Sequence, residues 1–447
     1  HLESPPPCCK CIDRSEAFLP TDRVLHLTRD FSIQNDAAKQ ISAQDLEGLK
    51  SWQYKGLPLG ELCLPGLRWA LRRHHIPDDE PTRLVYRKYL ASAASLAARF
   101  ETLIEEHSPR AFMVFNGMFY PEAVARAVAR RSGVPVITHE VGLQPYSAYF
   151  SHADATFRDL DRFQLTLLTP QEDERLERYL TARRSGKFSM AGIEFWPDMQ
   201  SLPQRIMDAI SNHRRTVTVF TNVVFDTSQV HANVIFPDMF AWLDELKPQI
   251  TSHPESLFVI RAHPDEDRIG KASRESVADW FDSSGLRQKP NVLFIGPSDL
   301  VDSYELIERS EIILTYNSSI GLEAAIMGKP VLLGGRARFS DSGAVIAPAG
   351  RAEYTDLLEA LLTDDRGAEQ MQDYDQGRSF LYHELYFASL DFSEFLAEYP
   401  HAPGMVSLSE FSADQVSRSV AIRAIVQGVI DGSPFVVGLP EANAGQG

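Results

Sequence analysis

A chain of 447 residues, 44% of them hydrophobic and 23% charged, has the material for two or three globular domains with cores of their own. Its formal net charge of -17 repels nucleic acid, so duplex binding is excluded and any anionic ligand must be held by a local device. No apolar run approaches the roughly 20 residues that span a bilayer, four cysteines in so large a chain do not make a disulfide scaffold, and the absence of a basic-then-apolar leader gives the expectation of a cytoplasmic protein.

In chain order, residues 1–50 read as polar and loop-rich, stiffened at the start by Pro5, Pro6 and Pro7. The cluster Cys8, Cys9 and Cys11 suggests a metal, but it lacks the two-residue spacing usual for zinc and no second pair follows, so incidental thiols are the other reading. Helices are expected over 61–74 and 81–107; in the second, Val85, Tyr89, Ala93, Leu96, Phe100 and Leu103 recur at steps of three or four. A strand over 111–115, a helix over 121–131 and a strand over 134–137 form a β-α-β unit, with Asn116-Gly117 and His139-Glu140-Val141-Gly142 just beyond the strand ends. Residues 151–215 are charged and helical in character.

A second alternation opens at Thr216. Strands are expected over 216–220, 257–260, 292–295, 311–315 and 330–333, with helices over 236–247, 303–309 and 320–327 between them. That rhythm means a parallel, doubly wound sheet. Helices follow over 352–362, 366–389 and 413–430, and the tail after Pro440 is small and polar. The fold class is therefore α/β, with two Rossmann-like domains over 1–205 and 206–370 facing a cleft, and helices over 371–447 that cross back to the first domain.

Three constellations carry chemistry. Asn317-Ser318-Ser319-Ile320-Gly321-Leu322-Glu323 joins a strand end to a helix start, where hydroxyls and free N–H groups cap the helix or attract a phosphate. There Gly321 allows close backbone approach and Glu323 suits a ribose diol. Arg261-Ala262-His263-Pro264-Asp265-Glu266 places an imidazole and a cation at another strand end, with Pro264 fixing the turn; Thr221-Asn222 lines the same cleft. His139-Glu140 offers a carboxylate base for an acceptor hydroxyl, with His139 to replace or orient it. Each has a plain structural reading as well: a serine N-cap, a histidine in a tight turn, a solvent-facing acid.

The order of these motifs resembles the two-domain (GT-B) bacterial glycosyltransferases of capsule and surface polysaccharide synthesis. The resemblance rests on Thr221-Asn222, the 261–266 run, Ser303-Tyr304 and the run from Tyr316 to Val331, and it spans roughly residues 110–390. The His-Pro and Ser-Ser motifs are similar to those of bacterial Kdo- and sialyltransferases. The resemblance implies an inverting transferase with a nucleotide-sugar donor, of CMP-Kdo or sialic type ahead of UDP- or GDP-hexose, and an oligo- or polysaccharide acceptor. It assigns the donor phosphate to His263, Ser318 and Ser319 and the base role to Glu140, and it implies no metal and no cofactor beyond the donor. The family pattern has an acidic pair directly before glycine, whereas here one acid is followed by Val141 and then Gly142. A nucleotide-sugar 2-epimerase, a polyol-phosphate transferase and a non-catalytic glycan-binding protein are the alternatives.

Overall fold

A computed structural model describes residues 24–25, 27, 30–155, 166–185, 189–190, 193–194, 199–363, 372–398 and 406–438. The cysteine cluster and the tail after Pro440 lie outside the described residues.

From residue 30 on, helices stand where loops were expected. Helix α1 (Phe31–Ile41) starts because the Asp30 side chain accepts from the N–H groups of Ser32 and Ile33. It holds because Ala37 and Ile41, four residues apart, lie on one face and bury it. A short α2 (Leu46–Lys50) and then α3 (Leu59–Leu71) follow; α3 ends at Arg72, whose φ is 59°. Helix α4 (Glu80–His107) is capped by Asp79 and carries Pro81 in its first turn, where the missing N–H costs little. Its fully buried stripe is Tyr86, Leu90, Ala93, Ala94 and Ala97, while Val85, Tyr89, Leu96 and Phe100 pack beside the same core. The helical spacing read from the sequence therefore marks one flank of a helix covered on two sides.

The expected β-α-β unit is present as β1 (Phe112–Phe115), α5 (Glu122–Arg131) and β2 (Val136–Val141), with β1 and β2 parallel and Phe115 opposite His139. Strand β2 runs four residues past its expected end. The cause is β3 (Ser147–Ser151), which folds back antiparallel and pairs with Thr138 through Val141. A much later strand pairs with β3 on its far side, giving a four-stranded first sheet with one parallel and two antiparallel pairs.

Helix α6 (Pro170–Arg184) opens with a capping box between Thr169 and Glu172. A two-residue hairpin pair, β4 (Ser189–Met190) and β5 (Ile193–Glu194), and helix α7 (Gln204–Ser211) lead into the second sheet. It comprises β6 (Arg215–Phe220), β7 (Ser256–Arg261), β8 (Val292–Ile295), β9 (Ile312–Thr315) and β10 (Val331–Leu333), with helices α8 (Met239–Ser252), α9 (Val277–Ser283), α10 (Ser303–Glu308) and α11 (Ile320–Ile326) between them. All its pairs are parallel and the strand order is β10-β9-β6-β7-β8, so the order reverses between β6 and β9. Ligands of open parallel sheets collect beyond the carboxyl ends of the strands at such a point.

Alternate residues of the central strands feed opposite layers, as the two-residue period of a strand requires. Leu257 and Val259 join a core with Leu176, Leu180, Ile206, Leu322 and Phe380, whereas Phe258 and Ile260 join Trp242, Leu243, Tyr316 and Tyr354. Each fully buried aliphatic side chain of this kind contributes about 1.5–3 kcal/mol relative to exposure. Leu176 and Leu180 belong to α6, which precedes residue 206 but packs on the second sheet.

Helix α12 (Arg351–Thr363) completes one layer. Of the helix expected over 366–389, residues 366–371 lie outside the described residues; in the rest, α13 (Tyr374–His383) continues into one wide π-type turn over Glu384–Ala388. Arg378 on α13 pairs with Asp173 and Glu177 on α6. The chain then returns to the first sheet, where β11 (Leu390–Asp391) pairs with Ala148 and Ser147 of β3. A hairpin of β12 (Leu396–Glu398) and β13 (Val406–Leu408) precedes α14 (Ala413–Arg418) and α15 (Val420–Asp431), which replace the single helix expected over 413–430. Ser419 breaks it, ending α14 in an extended conformation and capping α15. No helix among the described residues is long and apolar enough to cross a membrane.

Candidate functional site

The switch point of the second sheet is tied together by its own side chains. Thr221 follows β6, and its N–H and hydroxyl both donate to the Arg261 carbonyl at the end of β7. Asn222 is buried, and its side-chain oxygen accepts from the Asn317 N–H at the end of β9 at 3.4 Å. The Asn317 side chain donates to the Ser228 carbonyl at 2.7 Å and accepts from Gln229 at 3.1 Å. These three residues hold strand ends and a loop in register, and line the site by fixing its frame.

His263 sits between β7 and a tight 3-10 turn that Pro264 opens. Its Nδ1 accepts from the Asp265 N–H at 3.1 Å. A neutral imidazole has one donor and one acceptor nitrogen, so its hydrogen lies on Nε2. Burial pushes this imidazole below its ordinary pKa, and the nearby Asp265 and Asp226 carboxylates pull it back only in part. His263 is thereby a neutral hydrogen-bond donor at the carboxyl end of a central strand.

Ser318 and Ser319 stand across the switch point from it. Ser319 occupies the cap position of α11, but in a helical conformation, and its hydroxyl makes no cap bond. The Ser318 N–H donates to the Thr315 hydroxyl at 3.3 Å. The plain N-cap reading is therefore not what the structure shows at Ser319: capping residues are typically extended, and here φ is -60° and ψ is -22°.

Four expected ligands are engaged elsewhere. The buried Arg261 guanidinium turns away and donates to the carbonyls of Gly296 and, at 3.0 Å, Asp299. Glu266 is buried and accepts from the Val277 N–H at the start of α9; burial pushes its carboxyl up to about 8. Gly321 is required by packing, because a Cβ there would lie 2.8 Å from the Thr315 methyl and 3.3 Å from Phe339. Glu323, read as a ribose ligand, is held by both ends of the Arg183 guanidinium at 2.9 Å and by the Tyr304 hydroxyl at 2.5 Å. Arg183, on α6 and 140 positions earlier, was the partner sequence reading missed; no local pattern marks a pair so far apart.

On the first sheet, Glu140 and His139 lie inside strand β2, not in a loop beyond it. Neighbouring residues of a strand point to opposite faces, so His139 cannot orient or replace the Glu140 carboxylate. Its ring is stacked on Phe150 at 5.4 Å and meets Phe115 edge-on, and burial lowers its pKa. Glu140 is partly exposed and accepts from the Asn116 amide at 2.5 Å. Asn116 has a φ of 56°, a conformation asparagine tolerates better than most residues, and its side-chain oxygen also accepts from the Met118 N–H. Asn116 is thus the positioning group for Glu140, foreshadowed only by the Asn-Gly pair.

Residues 198–346 match the family model of capsule polysaccharide biosynthesis proteins. That segment contains Thr221, Asn222, His263, Ser318 and Ser319, so the resemblance drawn from the motifs is borne out over the stretch that holds these five; the first sheet, with Glu140, is outside it. Among solved structures, the chain is similar to the Thermosulfurimonas dismutans KpsC beta Kdo 2,4 transferase (14% identity, 63% of this chain and 81% of that one, TM-score 0.41). It is also similar to the beta Kdo 2,7 transferase of the same protein (13%, 66% and 84%, TM-score 0.37) and to the UDP-GlcNAc 2-epimerase from Neisseria meningitidis (14%, 70% and 83%, TM-score 0.30). No curated protein matches the chain. The α/β class with a parallel second sheet stands, as does the likeness of residues 198–346 to capsule polysaccharide biosynthesis proteins.

Proposed function

We propose that this protein is an inverting glycosyltransferase of capsule polysaccharide synthesis, with its nucleotide-sugar donor on the second sheet and a glycan acceptor facing the first. The observation that carries the reading is the placement of His263, Ser318 and Ser319 around the β6/β9 switch point, inside the family-matched segment. There the Nε2 hydrogen of His263 and the two serine hydroxyls donate to the donor phosphate, through side chains and not a metal.

In the transfer step, Glu140 takes the proton of an acceptor hydroxyl. The oxygen attacks the anomeric carbon and forms the new C–O bond, while the bond from that carbon to the phosphate oxygen breaks with its electron pair on the phosphate. Donors aimed at the departing phosphate stabilise the charge that develops there. Asn116 holds the base in place by its 2.5 Å bond to Glu140. A donor of the CMP-Kdo type is favoured by the likeness of the His-Pro and Ser-Ser motifs to those of Kdo transferases.

The test is incubation with CMP-, UDP- and GDP-sugars, with and without a capsule oligosaccharide. Transfer that needs the acceptor and releases a nucleotide supports the reading. Turnover of the donor without an acceptor would replace it with epimerisation, and glycan binding without nucleotide release would replace it with a non-catalytic role.

A further inference from the structure

Away from the switch point, a second cluster lies where the α3–α4 turn meets the second sheet. His75 Nδ1 is 2.5 Å from Glu275 Oε1, and its Nε2 is 3.3 Å from Asp238 Oδ2. His74 Nε2 is 4.0 Å from the same Asp238 oxygen. His74 and Asp238 are buried, and the potential ligand atoms of His74, His75 and Asp238 all lie within 4.8 Å of one another. None of these residues belongs to the donor-side set.

The surroundings fix this geometry. The other Glu275 oxygen accepts from the backbone N–H groups of His74 at 2.9 Å and His75 at 2.8 Å. The Arg274 N–H donates to the Arg72 carbonyl at 2.8 Å, and Arg68 donates to the His74 carbonyl at 2.9 Å. Asp238 uses Oδ1 to cap α8 at the Ala241 N–H, which leaves Oδ2 directed at the two histidines.

His75 presents one ring nitrogen to a carboxylate oxygen of Glu275 and the other to one of Asp238. Ligand atoms about 2.0–2.1 Å from a tetrahedral zinc are roughly 3.3 Å apart, which is the His75–Asp238 separation. Metal-bound histidines commonly give their other N–H to a carboxylate, which is the place Glu275 takes.

We propose that His74, His75 and Asp238 form a divalent transition-metal site of the zinc class, with Glu275 as the residue that positions His75. The site clips the turn between α3 and α4 to the start of α8 and to the 273–277 loop. Its ligand set of imidazoles and a carboxylate suits zinc or cobalt in preference to magnesium or calcium.

The experiment uses the full chain, stripped with a chelator and titrated with zinc alone by calorimetry, and with cobalt alone by visible absorption. Wild type, His75→Ala, Asp238→Asn and Glu275→Gln are compared. The cysteines are present in all four proteins, so any metal they hold cancels in the difference. The His75 side chain is 57% exposed, and Asn at 238 keeps a cap acceptor. The wild type takes up one equivalent of zinc more than His75→Ala, with a rise in Tm that the variant lacks. Glu275→Gln binds that equivalent 10–100-fold more weakly. Equal stoichiometry and affinity in wild type and His75→Ala overturn the site. A Tm loss in His75→Ala that is the same with and without zinc also overturns it, and assigns the cluster to direct hydrogen bonds between His75 and the two carboxylates.

Discussion

Arg183 on α6 grips Glu323 on α11 through two hydrogen bonds of 2.9 Å, across 140 residues of sequence. The pair is largely buried, and Tyr304 adds a third donor to the same carboxylate. Burial and the adjacent carboxylate push the Tyr304 phenol above its ordinary pKa, so it stays a donor across the working pH range. Such a pair holds α6 against the helix that follows Ser318 and Ser319.

Removing one partner of a buried ion pair leaves the other charge uncompensated, a cost of about 3–5 kcal/mol. Arg183→Ala is therefore expected to lower stability by about that amount in urea unfolding, and Arg183→Lys to lose part of it, because an ammonium cannot reproduce the two-pronged contact. Unchanged unfolding in Arg183→Ala would mean the contact is not formed in solution.

Gly321 sits where a Cβ meets the Thr315 methyl at 2.8 Å. Gly321→Ala should destabilise by about 1–3 kcal/mol through overpacking, with a matching fall in Tm. A neutral or stabilised variant would show that α11 is free to shift away from β9.

Glu266 gives a pH-dependent term with a definite sign. Its folded pKa is raised from the ordinary 4.5 to about 8 by burial, so the folded state binds the proton more tightly than the unfolded one. The associated stability is full below pH 4.5 and is lost as pH rises towards about 8. Glu266→Gln should flatten unfolding stability between those limits while still accepting from the Val277 N–H. A wild type whose stability rises over that window, with the variant unchanged, would refute the burial argument.

The base assignment predicts that Glu140→Gln lowers turnover by about 10²–10⁴-fold with little change in nucleotide affinity. Asn116→Ala should lower it less, through the loss of one hydrogen bond. Steady-state kinetics with saturating donor would separate the two, and near-normal turnover in Glu140→Gln would remove Glu140 from the reaction.

Much of this was legible in the sequence. Strand–helix alternation from Thr216 onward marked the parallel sheet, because a strand buried on both faces reads as an unbroken apolar run. The placement of His263, Ser318 and Ser319 just beyond strand ends was legible because those ends are marked locally by Pro264 and by the polar break after Thr315. The continuation of β2 through Glu140 was not, because it depends on the antiparallel partner Ser147–Ser151. Nor were the engagements of Arg261, Glu266 and Glu323: side-chain type signals a charge, but its partner is chosen by tertiary packing. The His74-His75 pair was passed over for the same reason, since its carboxylates come from positions 238 and 275.

The central claim is that His263, Ser318 and Ser319 bind the donor nucleotide, and the most direct measurement is thermal shift with CMP, CDP, UDP, GDP and dTDP. A nucleotide at a hundred times its Kd stabilises the fold by about 2.7 kcal/mol. The account predicts a clear shift with one nucleotide, CMP foremost, that disappears in His263→Ala and Ser319→Ala while Glu140→Gln retains it. A shift of equal size in all of these proteins, or none with any nucleotide, would contradict it.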